Sequence, residues 1–246
     1  MPNPFSDSRL VQAVTRRLKP FVSTDLRTWV KHSVEAPLVA HDITRLAEIY
    51  GTDKAKTGFA TLYGRRLAGA RRRIRTVLEI GIGGAEKPNA GGGSLRMWKR
   101  YLPHAQIYGI DIHKKNISEP RITIFQGSQS DRAFLEQIAA RIGPIDLLID
   151  DGSHIGEHIH VSFETLFPKV SPGGLYIIED LHTSYWSKYS GGPPGLPGTG
   201  MALIKSLADG MHHGSFETES YQPSYADEHV ASVHLYPRIA FIEKRR

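Results

Sequence analysis

The clearest hydrophobic pattern lies in the stretch 144–186, which holds two short runs of mostly apolar residues. The runs cover residues 145–149 and 175–178, and each is followed at once by two adjacent acidic residues. Short apolar runs bounded by turn residues predict strands that are buried on both faces, as in a parallel sheet. Between them, residues 157–168 carry apolar side chains at helical spacing, and a Ser-Pro-Gly-Gly turn at 171–174 then follows. The stretch therefore predicts a strand–helix–strand crossover.

The rest of the chain continues this alternation of strands and helices. Such an alternation predicts an α/β fold, with a mostly parallel sheet and helices on both faces. The last two predicted strands are separated by only three residues, which allows only an antiparallel hairpin. Residues 1–70 have helical patterns alone, so we expect a helical N-terminal extension at 1–70 and the α/β domain at 71–246. The further predicted strands are 76–80, 106–110, 121–125, 229–235 and 239–244, and the helices are 8–18, 43–49 after Asp42, 95–102 after Ser94, one through 134–139 after Ser130 or Asp131, and 200–211.

Four carboxylates fall at the carboxyl ends of the two strands in the stretch 144–186. They are Asp150, Asp151, Glu179 and Asp180, and His154 comes three residues after Asp151. In open α/β sheets, ligands bind outside the carboxyl ends of the strands. Carboxylates gathered there repel each other, which favours a hard cation such as Mg²⁺, Mn²⁺ or Ca²⁺. The alternative is that these acidic residues cap helices or face solvent.

A glycine-rich turn at 81–84 follows the predicted strand 76–80. Glycine permits positive φ and lets the backbone approach a ligand closely, although a plain tight turn has the same composition. A dinucleotide-binding fingerprint would need its third glycine at the position of Glu86, so the sequence does not fit that motif. Asp111 ends the next strand, where doubly wound folds contact a ribose hydroxyl.

Composition excludes several classes of protein and of site. The chain has no cysteine, which excludes disulfides, thiolate zinc sites and a cysteine nucleophile. We expect no signal peptide and no integral membrane segment, and hence a cytoplasmic protein. The formal charge is +6, with arginines concentrated at 65–66 and 71–75. These arginines lie just before a buried strand without interleaved aromatic residues, so a solvated edge is the better interpretation and nucleic-acid binding is not expected.

Two further segments have more than one interpretation. The string His-Ile-Gly-Glu-His at 154–158 matches a zinc-peptidase pattern, but Gly156 and the preceding turn put His154 before the helix, where that pattern would fail. Residues 187–200 are rich in glycine and proline, which predicts either a disordered segment or a lid over the site.

Seven motifs resemble the macrocin/mycinamicin sugar O-methyltransferase family, from about residue 45 to the end of the chain. The succession of strands resembles the wider class I S-adenosylmethionine-dependent methyltransferases. This implies a Rossmann-like, seven-stranded and mostly parallel sheet with a C-terminal antiparallel hairpin. The motifs are GTDK at 51–54, LEIGIGG at 78–84, SLRMW at 94–98, YGID at 108–111, QGSQSD at 126–131, IDDGSH at 149–154 and IEDLHTSYW at 178–186.

The resemblance implies a Mg²⁺-dependent enzyme that transfers the methyl group of S-adenosylmethionine to a sugar hydroxyl. The expected acceptor is a glycoside, an oligosaccharide or a polysaccharide precursor, such as a mannose or rhamnose unit, and the expected assembly is a homo-oligomer. Asp151, Glu179 and Asp180 would hold Mg²⁺, which chelates the acceptor diol, and His154 would be the general base. The residues implied for the S-adenosylmethionine site are Glu79, Gly81, Ser94, Asp111, Gly127, Gln129, Ser130 and Asp150.

Three alternatives stay open at this point. His154 can instead serve to fix the loop that carries Asp151. A catechol-type O-methyltransferase would use a bound metal ion in the same way. The aromatic residues Tyr185, Trp186 and Tyr189 suit either a sugar or an aromatic acceptor. A non-catalytic S-adenosylmethionine-binding protein would keep the cofactor residues but lose nothing when His154 is changed.

Overall fold

A computed structural model describes residues 24–217 and 220–246 of the chain. These residues form two compact units, of which one comprises 24–73 with Arg96–Pro103, and the other Ile74–Leu95 with the described part of His104–Arg246. The helix predicted at 8–18 lies outside the described residues, and the predicted domains 1–70 and 71–246 stay a prediction. No helix in the part of the chain that the structure describes is long and apolar enough to cross a membrane.

The first unit is helical, as its sequence pattern predicts. Asp42 caps one helix, since its Oδ1 accepts a hydrogen bond of 3.0 Å from the Arg45 N–H, and Gly51 ends that helix at a φ of 68°. The buried Tyr63 ring meets the Trp98 ring edge-on at 4.8 Å. The elements are α1 (Thr24–Val30), a π-helical turn (Lys31–Glu35), α2 (Ala36–Leu38), α3 (Ile43–Tyr50), a 3₁₀ turn (Asp53–Ala55) and α4 (Phe59–Leu67).

The second unit is built on a seven-stranded sheet with the strand order 3-2-1-4-5-7-6. Strands 1 to 5 are parallel, while strand 7 runs antiparallel to both of its neighbours, 5 and 6. This confirms the predicted α/β class and its antiparallel end. The strands are β1 (Thr76–Ile80), β2 (Gln106–Asp111), β3 (Ile122–Gln126), β4 (Ile145–Asp150), β5 (Val170–Ile178), β6 (Val230–Tyr236) and β7 (Ile239–Lys244).

Helices accompany the strands, and a hydrophobic core lies between the sheet and several of them. Leu148 of β4 and Tyr176 of β5 belong to this core with Phe163, and all three are buried. The helices of this unit are α6 (Arg132–Ile142), α7 (Gly156–Leu166), α8 (Gly200–Gly210) and α9 (Tyr225–His229), with 3₁₀ turns at Phe167–Lys169, Leu181–Tyr185, Ser187–Tyr189 and His213–Ser215. Helix α5 (Gly93–Tyr101) begins in this unit and continues into the first.

The structure corrects three predicted boundaries. The turn predicted at 171–174 is part of β5, because the pairing of β4 with β5 shifts its register between Ile145 and Leu147 and so accommodates the glycines. The helix predicted at 95–102 begins two residues earlier, at Gly93, because Gly91 and Gly92 take positive φ and turn the chain before Ser94, which therefore lies inside the helix. The third strand begins at Ile122 rather than at residue 121, where φ is 63°.

Gly81, directly after β1, is fixed by its neighbours, so we expect Gly81→Ala to lower the free energy of unfolding by at least about 2 kcal/mol. Its φ is +85°, and a Cβ there would overlap the backbone of Asp151 and Gly152. Gly143→Ala is the matched control, since φ is +76° but nothing lies within 4 Å of the added Cβ. Urea unfolding measures the free energy of unfolding of both variants. The loss in Gly143→Ala reports backbone strain alone, and the additional loss in Gly81→Ala reports the steric overlap. Equal losses of free energy in the two variants would contradict the overlap.

Candidate active site

The carboxyl ends of the five parallel strands bring the predicted site residues to one edge of the sheet. Ile80 is in register with both Ile110 of β2 and Asp150 of β4, so these strand ends lie level with one another. The strand order changes direction between β1 and β4, which is the position where open α/β sheets bind their ligands. The predicted metal ligands follow β4 and β5, whereas most of the predicted cofactor residues follow β1, β2 and β3.

Asp151, His154 and Asp180 come together at this edge. Each offers one ligand atom, and these atoms lie within 4.8 Å of one another among the described residues. The His154 Nε2 lies 4.0 Å from the Asp180 Oδ2, and all three side chains are partly buried. Glu179 is not one of the three. It is buried directly after β5, and its N–H donates a hydrogen bond of 3.0 Å to the Asp150 carbonyl.

His154 stands before helix α7, which begins at Gly156. Its φ of 60° places it in the left-handed region, where a residue other than glycine costs about 1–2 kcal/mol. The two histidines of the string 154–158 therefore do not share a helix, and the zinc-peptidase pattern is not formed. The loop is anchored by its backbone, because the His154 carbonyl accepts a hydrogen bond of 3.3 Å from the Thr183 Oγ1.

The two carboxylate oxygens of Asp180 have different neighbours. Oδ1 accepts a hydrogen bond of 3.0 Å from the Arg238 Nη2 and lies 3.7 Å from the His182 Nδ1, while Oδ2 faces His154. Burial lowers the pKa of His182, against the opposing effect of the Asp180 carboxylate. Sequence reasoning missed Arg238. The one feature of the sequence that could have pointed to Arg238 is its place in a short hairpin loop, at a position where glycine is usual.

Asp150 is buried beneath the candidate site in a polar network. Its carboxylate accepts hydrogen bonds from the Ser162 Oγ at 2.6 Å, the Gln129 Nε2 at 3.1 Å and the Tyr176 hydroxyl at 3.4 Å. Burial raises the pKa of Asp150 and raises that of Tyr176 well above its ordinary value. The Gln129 Oε1 accepts a hydrogen bond of 2.6 Å from the Ser153 N–H, so the network also holds the loop between Asp151 and His154.

We expect Ser162→Ala to lower the free energy of unfolding by about 1–3 kcal/mol, because it removes a donor from a buried carboxylate. Ser206→Ala is the control, since the Ser206 hydroxyl is exposed and donates only to the Leu203 carbonyl of its own helix. We expect that change to stay within about 0.5 kcal/mol. Guanidinium unfolding measures both variants, and equal values would show that the Asp150 network contributes little to stability.

Asp111 connects the end of β2 to the glycine-rich turn. Its Oδ2 accepts a hydrogen bond of 3.2 Å from the Ile82 N–H, and its Oδ1 accepts one of 2.8 Å from the His113 N–H. The Lys115 ammonium, which is buried and was not predicted, lies 4.0 Å from the Asp111 Oδ2 and donates to the Ala85 carbonyl. The turn that follows β1 is thus held from the neighbouring strand end.

The other predicted cofactor residues differ in their surroundings. Glu79 is fully buried within β1, and Ser94 is buried in the first turn of α5. Gly127 donates its N–H to the Asp111 carbonyl at 2.9 Å, and a Cβ there would overlap the Phe134 ring. Ser130 is exposed, and its Oγ lies 2.8 Å from the Ser128 Oγ.

Aromatic side chains contact two histidines of the candidate site, His154 and His182. The Tyr189 ring meets the His154 ring edge-on at 5.9 Å, and the Trp186 ring meets the His182 ring edge-on at 4.5 Å. Trp186 is 51% exposed. The segment 187–200 begins with the 3₁₀ turn Ser187–Tyr189 and is tied down at its far end, where the Thr199 carbonyl lies 3.3 Å from the His160 Nε2. Its role as a lid stays a prediction.

Comparisons with known proteins place these features in a family context. No protein-family model matches the chain. Over 222 residues it is 44% identical to the 8-demethyl-8-alpha-L-rhamnosyl tetracenomycin-C 2'-O-methyltransferase of Streptomyces olivaceus, covering 87% of this chain and 59% of the relative. It is 47% identical over 209 residues to the demethylmacrocin O-methyltransferase of Streptomyces fradiae, covering 82% and 53%. The chain thus spans little more than half the length of these relatives.

A solved structure extends the similarity to three dimensions. The MycE methyltransferase from the mycinamycin biosynthetic pathway, in complex with Mg, SAH and mycinamycin VI, matches with a TM-score of 0.79 and 44% identity. The match covers 83% of this chain and 54% of MycE. Together with the strand order, it confirms the Rossmann-like fold of a class I methyltransferase. By sequence and by fold, the chain belongs to the macrocin- and mycinamicin-type sugar O-methyltransferase family.

Proposed function

We propose that this chain is an S-adenosylmethionine- and Mg²⁺-dependent O-methyltransferase that methylates a sugar hydroxyl of a glycoside. The observation that carries the proposal is the group formed by Asp151, His154 and Asp180, two carboxylates beside an imidazole at the ligand-binding edge of the sheet. This group occurs in a chain that is 44% identical to MycE, whose structure contains Mg and SAH. Because a rhamnosyl compound appears in the name of one relative, rhamnosides are the first acceptors to test.

The residues of the group fit a hard cation. Mg²⁺ prefers carboxylate oxygens, and Asp151 and Asp180 supply them within 4.8 Å of each other. We propose Glu179 as the third ligand, since it adjoins Asp180 directly after β5. Bound Mg²⁺ would polarise the sugar hydroxyls and lower the pKa of the one to be methylated.

His154 is the proposed general base. Its side chain is 18% exposed and lies beside Asp180, so it can receive the proton of a hydroxyl held near the two aspartates. Other groups hold its loop. The Ser153 N–H donates to the Gln129 side chain, and the His154 carbonyl accepts a hydrogen bond from the Thr183 hydroxyl. The imidazole is therefore not required to fix the loop, which favours the catalytic role over the positional one.

The carboxyl ends of strands β1 to β3 fit a binding site for S-adenosylmethionine. This cofactor would supply the methyl group. The glycine-rich turn leaves no space for side chains at Gly81 and Gly84, where a Cβ would overlap neighbouring backbone. Asp111 holds this turn in place through the Ile82 N–H. We propose that the cofactor contacts the residues predicted from the motifs, which are Glu79, Gly81, Ser94, Asp111, Gly127, Gln129, Ser130 and Asp150.

The proposed activity can be tested by incubating the purified chain with methyl-labelled S-adenosylmethionine and a panel of rhamnosides, other hexosides and catechols, with Mg²⁺ or with EDTA. We expect label on a sugar, and its loss in EDTA. Label on a catechol alone would favour the small-molecule alternative, and transfer that survives EDTA would contradict the metal assignment. Cofactor binding without transfer to any acceptor would favour a non-catalytic protein. The predicted homo-oligomer and the cytoplasmic location stay predictions.

A further inference from the structure

We propose that Arg238 is a positioning residue for Asp180. It occupies one carboxylate oxygen and thereby directs the other towards His154 and Asp151. This inference rests on the proposed function, because it concerns the same group of residues.

The contacts of Asp180 divide its carboxylate into two sides. On one side the Arg238 Nη2 donates to Oδ1 at 3.0 Å, and on the other Oδ2 lies 4.0 Å from the His154 Nε2. A hydrogen bond between a guanidinium and a carboxylate is short, strong and directional, so it restricts rotation of the carboxylate. A ligand whose orientation is fixed by a neighbouring group binds its metal more tightly than one that rotates freely.

The hairpin between β6 and β7 holds the residues after β5 in two ways. Tyr236 pairs with Ile239, so Pro237 and Arg238 form a two-residue loop at the tip. The Arg238 carbonyl accepts a hydrogen bond of 2.9 Å from the Leu181 N–H, directly after the aspartate that the guanidinium contacts. Backbone and side chain of one residue thus hold two consecutive residues of the candidate site.

The conformation of Arg238 is one that its residue type disfavours. Its φ is 75°, in a loop with proline at the preceding position, where a turn of this kind usually has glycine or asparagine. Asp180 and His154 also have positive φ, at 52° and 60°. Three of the six non-glycine residues with positive φ in the described ranges therefore meet at one place. Backbone strain that concentrates in this way is typical of functional sites.

Stability alone does not account for this arrangement. The Arg238 and Asp180 side chains are 41% and 22% exposed, and an ion pair with this exposure contributes little to stability. The change Arg238→Gly would remove the backbone strain that a side chain causes in the left-handed region. We therefore expect Arg238→Gly to fold at least as stably as the wild type, which makes it a clean test of the side chain.

Mn²⁺ binding, followed by the electron paramagnetic resonance signal of the free ion, is the decisive measurement. We expect Arg238→Gly to weaken Mn²⁺ binding by about 10-fold, to leave S-adenosylmethionine affinity unchanged, and to be partly rescued by Arg238→Lys. The direction of the change in Mn²⁺ affinity is informative, because removing the positive charge of Arg238 would by itself strengthen the binding of another cation. Weaker binding that Arg238→Lys partly restores is then explained by lost orientation of Asp180.

Arg121→Gly is the matched control. Arg121 also has positive φ, at 63°, and donates to the Ala105 carbonyl at 2.8 Å, but it lies at the amino end of β3. We expect its Mn²⁺ affinity to equal that of the wild type. Equal or tighter binding in Arg238→Gly would overturn the positioning role while leaving the proposed function intact. No saturable Mn²⁺ binding by the wild type would overturn the metal assignment and, with it, this inference.

Discussion

Asp151→Asn is expected to reduce methyl transfer by at least about 10³-fold, which corresponds to roughly 4 kcal/mol of lost transition-state stabilisation. The change keeps the shape of the side chain and removes its charge. The backbone of residue 151 keeps its own contacts, since its N–H donates to the Ile80 carbonyl at 2.9 Å. We therefore expect the fold and the affinity for S-adenosylmethionine to be preserved. Steady-state kinetics with saturating Mg²⁺, together with calorimetric titration of the cofactor, measures both quantities.

The control for this prediction is Asp209→Asn, which removes an exposed carboxylate from helix α8 of the same unit. It raises the net charge by the same single unit and should leave activity within experimental error. If Asp151→Asn retains activity that EDTA does not abolish, Asp151 is not a metal ligand and the proposed mechanism fails.

His154→Ala is expected to lower kcat by about 10²- to 10⁴-fold, which is the usual contribution of a general base. Affinity for Mn²⁺ should change little, because two carboxylates stay in place beside the vacated position. A loss confined to kcat would separate proton transfer from metal binding. Kinetics and Mn²⁺ titration on the same preparation provide this comparison.

The matched control is His104→Ala, since His104 is an exposed histidine of the same unit in the turn before β2. It should behave as the wild type does. An unchanged kcat in His154→Ala would leave His154 only a positional role, and a large loss of Mn²⁺ affinity with unchanged kcat at saturating metal would make the imidazole a ligand instead.

The sheet could be predicted from sequence because its central strands are short apolar runs with clear ends. The runs at 145–149 and 175–178 correspond to β4 and to the last residues of β5. The beginning of β5 was missed since Pro172 and two glycines have turn composition, and only the irregular pairing with β4 keeps them in the strand. Local composition cannot reveal a register shift that a neighbouring strand supplies.

The candidate site could be predicted in part for the same reason. Adjacent carboxylates at two strand ends can be recognised in the sequence, and the structure brings Asp151 and Asp180 together with His154. The supporting residues could not be found in this way. Arg238 is 58 positions from Asp180, and Ser162 reaches Asp150 from a helix that also buries Ile159 and Phe163. These contacts depend on tertiary packing, which periodicity does not report.

The position of β7 between β5 and β6 has a consequence for a chain that is still being synthesised. While the ribosome has yet to release residues 239–244, β5 has no partner on one side, and its backbone groups form an open edge. Asp180 likewise cannot accept its hydrogen bond from Arg238 until that residue, 58 positions later, has been synthesised. The nascent chain thus contains the acidic residues well before it can arrange them. Loss of activity in a chain shortened before residue 239 would therefore report on incomplete assembly of the sheet and would give no information about chemistry.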